Sequence, residues 1–363
     1  DPYHTVPYSI HFNVGIQQKL RPGLTLSADF VSRRFVHYGG FHGVFQLDRN
    51  RYNRPRVTGV NSNTREVSFV RDPVIPLCTA AQSAALTPGV ECSTGPINVY
   101  GSGASYLYQG LQVELQGRIS PRLQLTSAYT VSRNSGFVEF SQYDNYSSAY
   151  GNLPDQRRHR STISGVIDFP DYPGEITMMR GLFRDWSASF ISQIESAPPL
   201  DTVLMGLDLD GDGISRTLLP GTNRHNLLGR ELSQARLREL VAEYNARVES
   251  QTRRVINSDN SVTVIRPRTP FNQVINPIVL PQQFSSGDSF ITQDVRLTRT
   301  VDLNEIVRLS LIAEVFYLFN IANVSGYSNV LNQANFGQPT ARAGQVFGSG
   351  GPRAFQFAAR LAF

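Results

Sequence analysis

The stretch YQGLQVELQGRISPRLQLTSAYTVSRNSG, running from Tyr108 to Gly136, decides how the rest of the chain is read. Leu111, Val113 and Leu115 alternate with Gln112, Glu114 and Gln116. After a short turn at Ser120 to Arg122, Leu123, Leu125, Tyr129 and Val131 alternate with Gln124, Thr126 and Thr130. Period-2 alternation puts the two sets on opposite faces of a strand. Strands of this length are longer than the five or six residues usual in globular sheets, and they match what a membrane-spanning strand needs.

Working outward, the same alternation recurs. Val6, Tyr8, Ile10, Phe12 and Val14 form one run, and Leu24, Leu26, Ala28 and Phe30 another, the latter set against Asp29. Ile163, Ile167 and Phe169 oppose Thr162, Ser164 and Asp168, and Trp186, Ala188 and Phe190 follow. Val295 and Leu297 oppose Asp294 and Arg296. Val307, Leu309, Leu311, Ala313, Val315 and Tyr317 oppose Arg308, Ser310 and Glu314. The last run sets Phe355, Phe357, Ala359, Leu361 and Phe363 against Gln356 and Arg360. These runs predict about nine strands.

The connections between them alternate in length. Gln18 to Gly23, Ser120 to Arg122, Pro170 to Gly181 and Val301 to Glu305 are short or medium. Residues 33–104, 134–158, 195–289 and 320–353 are long. A transmembrane barrel keeps this parity because its periplasmic turns are tight and its extracellular loops elaborate. A soluble sandwich has no reason to, and strand length also argues against it. The expected fold class is therefore all-β, an antiparallel transmembrane β-barrel with long extracellular loops, in the outer membrane of a Gram-negative bacterium. Nine strands do not close a large barrel, and lipid tolerates no unpaired sheet edge. Further strands are expected to complete it.

Composition agrees. Of 363 residues 17% are charged and 40% apolar, and mean hydropathy is −0.23, so no run approaches the length of an apolar spanning helix. The net charge of +5 comes almost wholly from arginines scattered along the chain, with Lys19 the one lysine. Scattered charge is not the stripe that nucleic acid requires, so nucleic-acid binding is excluded.

The ending from Glu314 reads EVFYLFNIANVSGYSNV and then FGQPTARAGQVFGSGGPRAFQFAARLAF. With the Tyr108 stretch, DQRRHRSTISGVIDFP from Asp155 and FSSGDSFITQDVRLTRTVDL from Phe284, it resembles the C-terminal part of TonB-dependent receptors of the Oar-like, acidobacterial type. The resemblance covers most strands and few of the loops. It implies a 22-stranded barrel of which this chain supplies the last nine strands, an N-terminal plug domain, and energy delivered by TonB. This chain carries no plug and no TonB box. Residues 1–363 therefore read as the C-terminal barrel portion of a longer precursor, a reading that its start at Asp1 also suggests. The implied function is uptake of a bulky nutrient such as a glycan, peptide or chelate. The alternative is a structural or interaction protein of the outer membrane that works through its surface loops.

Site residues follow from the strand pattern. Asp29, Glu114, Asp168, Arg296, Arg308, Glu314 and Arg360 are expected to face the lumen, where the plug would sit. Tyr106, Tyr108, Tyr317 and Phe319, at strand ends near the outer surface, are expected in the aromatic girdle at the lipid interface. Phe355, Phe357, Ala359, Leu361 and Phe363 read as the signal offered to the barrel-assembly machinery. Cys78 and Cys92, in a Pro/Ser/Gly-rich loop, are expected to form a disulfide. GLDLDGDGIS carries Asp208, Asp210 and Asp212 at positions 1, 3 and 5 of an EF-hand-like loop, with Leu219 where the bidentate Glu would stand. It is a candidate calcium loop completed by backbone carbonyls, but an Asp/Gly-rich extracellular turn, whose Asp side chains bond nearby backbone N–H groups, is preferred.

The cluster Asp155, Arg157, Arg158, His159 and Arg160 is expected to pair with lumen carboxylates or lipopolysaccharide phosphates rather than to form an anion-binding rim. RELSQARLRELVAEYNARVES, from Arg230 to Ser250, predicts an amphipathic helix with Leu237, Leu240, Val241, Tyr244 and Val248 on one stripe, packed against neighbouring loops. No metal-ligand spacing of histidines, nucleophile elbow or phosphate loop is present, so no enzyme is expected. The expected partners are outer-membrane lipid and lipopolysaccharide, the remaining strands and plug, TonB and the assembly machinery.

Overall fold

Period-2 alternation becomes one antiparallel sheet of nine long strands in chain order. The computed structural model describes residues 5–38, 44–47, 55–60, 67–71, 79–81, 97–100, 102–138, 141–142, 149–171, 173–174, 176–209, 215–269, 272–342 and 351–363. The strands are β1 (Tyr8–Arg21), β2 (Leu24–Tyr38), β3 (Ala104–Ser120), β4 (Leu123–Phe137), β5 (His159–Asp168), β6 (Trp186–Glu195), β7 (Phe290–Asp302), β8 (Arg308–Phe316) and β9 (Ala354–Ala362). Each pairs with the next, and Tyr150–Asn152 adds a short stretch against the outer end of β4. The tight turn between β1 and β2 needs Gly23 at φ +78°, a conformation that a side chain would strain.

Register carries the face assignment. Directly opposed residues point the same way, so the chain of pairs Asp29↔Gln112, Gln112↔Thr130, Thr130↔Arg160 and Arg160↔Glu195 marks one face. Farther along the sheet the same face passes through Val166↔Ser189, Ser189↔Arg296, Arg296↔Glu314 and Glu314↔Gln356. The other face holds Ile10, Phe12, Val14, Phe30, Leu111, Val113, Phe355 and Phe357. Its large side chains stay in the open: Phe12 is 57% exposed and Phe357 79%. A polar face backed by an exposed apolar one is inverted relative to a water-soluble sheet.

The buried core lies elsewhere. Leu200, Leu204, Leu219, Leu228, Leu237, Leu240, Phe284, Leu331 and Phe336 pack together from the connections between β6 and β7 and between β8 and β9. Backbone bonds join the two segments, Val203 N–H to the Asn329 carbonyl at 3.2 Å and Leu331 N–H to the Val203 carbonyl at 2.8 Å. The β4–β5 connection joins the same body. There Gly151 lies so close to His225 that an added Cβ would stand 2.3 Å from the His225 carbonyl oxygen.

One helix organises this core. Helix α1 (Thr177–Leu182) is a short turn before β6, whereas α2 (Gln234–Gln251) lies within the core. The Ser233 side chain accepts the Arg236 N–H at 3.2 Å and so starts α2. Its buried residues are Leu237, Leu240, Val241, Tyr244 and Val248, the stripe read from the sequence. The helix begins later than Arg230 because Arg230, Glu231 and Leu232 turn back on Leu227, whose carbonyl accepts all three N–H groups. Burial pushes the Tyr244 phenol up to about 12.

Candidate functional site

The polar face carries two recesses. The central one, of about 460 Å³, is lined by Thr126, Ser164, Ser189, Asp294, Arg296 and Glu314. Arg296 and Glu314 are directly opposed on β7 and β8 and pair across it. Of the other residues expected in the lumen, Arg308 pairs with Asp302 at 3.0 Å. Asp168 stands opposite Ser187, Arg360 opposite Ser310, and Glu114 between Ser27 and Ala128. All of them, with Asp29, fall on the same face as the central recess, which the register alone establishes.

The second recess, of about 880 Å³, lies at the far end of β2, β3 and β4, away from the tight turns. Phe35, Tyr38, Tyr106 and Tyr108 bring aromatic surface to it, and Arg33, Asn134 and Asp155 bring polar groups. Tyr38 and Tyr106 meet edge to face at 5.4 Å between ring centres. Flat aromatic walls with a few hydrogen-bonding groups suit ligands that have one apolar face and a polar edge.

This placement corrects the girdle expectation. Tyr106 and Tyr108 have the same parity as Gln112 and Glu114, and they oppose Phe35 and Arg33 on the polar face. A girdle side chain must leave the apolar face, so neither serves there. Tyr317 is only 3% exposed, its φ of 59° breaks the alternation after β8, and its hydroxyl donates to the Ile321 carbonyl. It is enclosed by protein rather than lipid. Phe319, beyond the end of β8, is 64% exposed.

The basic cluster is split between the faces. Arg157 and Arg160 both approach Glu195, at 3.6 and 3.0 Å, while His159 Nδ1 lies 2.7 Å from the Tyr129 hydroxyl on the apolar side. Arg230, which the sequence placed only within the helix, closes this region by donating to the Gln156 and Ala197 carbonyls at 2.9 and 2.6 Å. Burial, then the charges of Arg158 and Arg157, push its pKa below the usual guanidinium value.

Sequence reasoning missed a buried polar centre in the outer body. Asp201, 3% exposed, accepts from Arg216 at 3.3 Å and from the Asn226 and Thr202 N–H groups at 3.2 and 3.1 Å. Its Oδ2 also lies 2.7 Å from His225 Nδ1. Burial alone would raise its pKa, but His225, Arg216 and the Asn226 N–H together hold it below the usual carboxylate range. Apart from the adjacent Thr202, the partners are 15 to 25 residues away in sequence, and no local pattern marks them.

In the candidate calcium loop Asp208 is buried and its N–H donates to Gln273 Oε1 at 2.7 Å, while Asp210 and Asp212 lie outside the described residues. No group of three or more metal-binding side chains occurs among the described residues. Cys78 and Cys92 also lie outside them. Phe355, Phe357, Ala359 and Leu361 alternate onto the apolar face of β9, opposite Val315, Ala313, Leu311 and Leu309, and Phe363 follows at 92% exposure.

The model of the outer membrane beta barrel domain family matches residues 1–356. Comparison with curated proteins finds no match. Among solved structures, similarity extends to the FpvA receptor of Pseudomonas aeruginosa in complex with a heterologous ferric pyoverdine (TM-score 0.40, 9% identity, 98% of this chain and 27% of that chain). It extends also to the ferric-catecholate import receptor Fiu of Escherichia coli K12 (0.40, 11%, 98% and 27%). A third is the outer membrane transporter YddB of E. coli (0.45, 8%, 100% and 33%). The chain thus spans a third or less of the length of these proteins.

Proposed function

The chain belongs to the outer membrane beta barrel domain family, and on that premise we propose that it is the C-terminal portion of a TonB-dependent receptor of the Oar-like kind. It resides in the outer membrane of a Gram-negative bacterium. In this reading further strands complete a barrel of about 22, a plug domain fills the lumen against Asp29, Glu114, Asp168, Arg296, Arg308, Glu314 and Arg360, and TonB supplies energy from the inner membrane. The protein acts by binding and passage, not by making or breaking bonds. Support comes from the sequence resemblance, from the alternation of tight turns with long connections, and above all from one feature. The aromatic recess of Tyr38, Tyr106 and Tyr108 opens on the polar face at the end carrying the long connections, where a ligand entering from outside would first meet the barrel. Its mixed lining favours a large ligand with flat apolar surface and polar edges, such as a glycan, a peptide or a chelate.

Uptake in cells tests the reading. Labelled oligosaccharide, oligopeptide and ferric-chelate probes are offered to wild-type and deletion strains, with and without a proton uncoupler. The expected result is one probe class that accumulates only in energised wild-type cells. If deletion abolishes surface attachment and leaves uptake of every probe intact, the protein is instead an outer-membrane interaction protein acting through its loops.

A further inference from the structure

A third recess, of about 480 Å³, opens on the opposite side of the sheet, beneath the outer body. Arg34, Leu107 and Ser135 stand in one cross-strand row on β2, β3 and β4. Counting parity from Phe30 or Leu111 puts that row on the apolar face, which meets lipid. Arg133 lies on the same face, one step along β4, and Arg224 reaches down from the outer body to line the same recess. Three guanidinium groups therefore converge on the lipid side of the sheet, where a charge in hydrocarbon would be costly.

Height resolves the conflict. Arg34 is ten residues beyond Leu24, where β2 leaves its tight turn. At about 3.3 Å per residue and a tilt of about 40°, that is roughly 25 Å, the height of a barrel's apolar band. The recess thus sits where the acyl chains of the outer leaflet end and its headgroups begin. Glu231 bonds Arg133 at 3.1 Å and approaches Arg224 at 4.0 Å, offsetting one charge of three. Among the described residues no carboxylate pairs with Arg34. Leu107 stands level with Arg34 in that row, and on the far side is Tyr150, whose hydroxyl donates to the Gly103 carbonyl at 3.3 Å. Down the same face the row of Ser32, Gln109 and Arg133 comes next, and the row of Phe30, Leu111 and Val131 below it begins the apolar band.

We propose that Arg34, Arg133 and Arg224 form a site for a phosphate monoester carried on an outer-leaflet lipid, the phosphate of lipid A. Arginine matches the chemistry because its planar fork donates two parallel hydrogen bonds to one phosphate. The apolar band that begins at Phe30, Leu111 and Val131, below the arginines, receives the acyl chains of the same molecule, which a free anion lacks. The site is independent of what the lumen transports.

Binding to the full-length protein, purified in detergent and freed of endogenous lipopolysaccharide, tests this with EDTA present so that no divalent cation bridges headgroup and Glu231. The probes are bis-phosphorylated lipid A, the same lipid without its phosphates, and inorganic phosphate. The expected result is a preference of about tenfold or more for phosphorylated over phosphate-free lipid A. It should be lost when Arg34, Arg133 and Arg224 are all changed to Gln and reduced but not lost when all three are changed to Lys, which keeps the charge without the fork. Equal binding of the two lipids by the wild-type protein overturns the proposal whatever the variants do. Full competition by inorganic phosphate at lipid concentrations would make this a free-anion site and remove the lipid assignment.

Discussion

In β1, Ile10, Phe12, Val14 and Ile16 keep 55%, 57%, 57% and 69% of their surface exposed, whereas Leu204, Leu219, Leu228 and Leu237 in the outer body keep 0%. The two regions share one chain and much the same apolar vocabulary, yet they obey opposite rules. The outer body hides its leucines from water as any small domain does. The sheet turns its apolar residues outward because its solvent is hydrocarbon, and it holds together by ladder bonds and by register. The difference teaches where stability should reside. Truncating a side chain in the body should open a cavity, while truncating one on the sheet's outer face should only exchange protein for lipid contact.

The largest effect is expected from Leu237→Ala. The side chain is fully buried on α2, so its loss should cost the outer body about 2–5 kcal/mol, read as faster hydrogen exchange throughout α2 and the Val203–Met205 strand. Phe12→Ala removes more atoms and should leave exchange in the sheet nearly unchanged. If the two variants are equally destabilised, Phe12 is covered by protein and the contrast fails. Next in size is Asp201→Asn, which removes the buried charge that faces His225 and the half-buried Arg216, at about 3 kcal/mol. The pH dependence has a definite sign. Asp201 titrates below its ordinary value of 3.8 in the folded protein, so on acidification the unfolded chain binds the proton first. Its contribution is complete above about pH 5 and fades as pH falls through 3.8 and below. Exchange in the outer body should rise in that window in the wild type, and much less so in Asp201→Asn.

How far the sequence revealed this contrast depends on the range of each interaction. The nine strands were legible because alternation is local, and so was the α2 stripe from Leu237 to Val248, which needs only its own periodicity. Tyr106 and Tyr108 were legible in principle, since counting back by twos from Gln112 puts both on the polar side. Their position at a strand end suggested the girdle and hid that parity. Tyr317 was not legible, because the positive φ that breaks its alternation comes from the turn it enters. Neither was the outer body. Its core joins Leu204 to Leu331 and Phe336 across the whole of β7 and β8, and its charged centre joins Asp201 to His225. Such contacts depend on loop closures that no local pattern records.

Two smaller tests bear on the sheet and on the body in turn. Val14 lies near the middle of β1, paired with Phe30 on the apolar face, so Val14→Arg should cost about 2–3 kcal/mol in a bilayer and much less in detergent. A cost independent of the surrounding medium would mean that this face meets protein. The smallest expected effect is that of Ser233→Ala. Ser233 satisfies the Arg236 N–H that α2 would otherwise leave unpaired, and removing that cap should cost about 1 kcal/mol. The value of the test lies in where the loss appears. If the outer body folds as one unit, exchange should quicken equally along α2 and in the Ser328–Gln338 segment that packs on the same core. If only the first turn of α2 responds, the body is a set of loops held separately by the barrel, and its burial does not make it a domain.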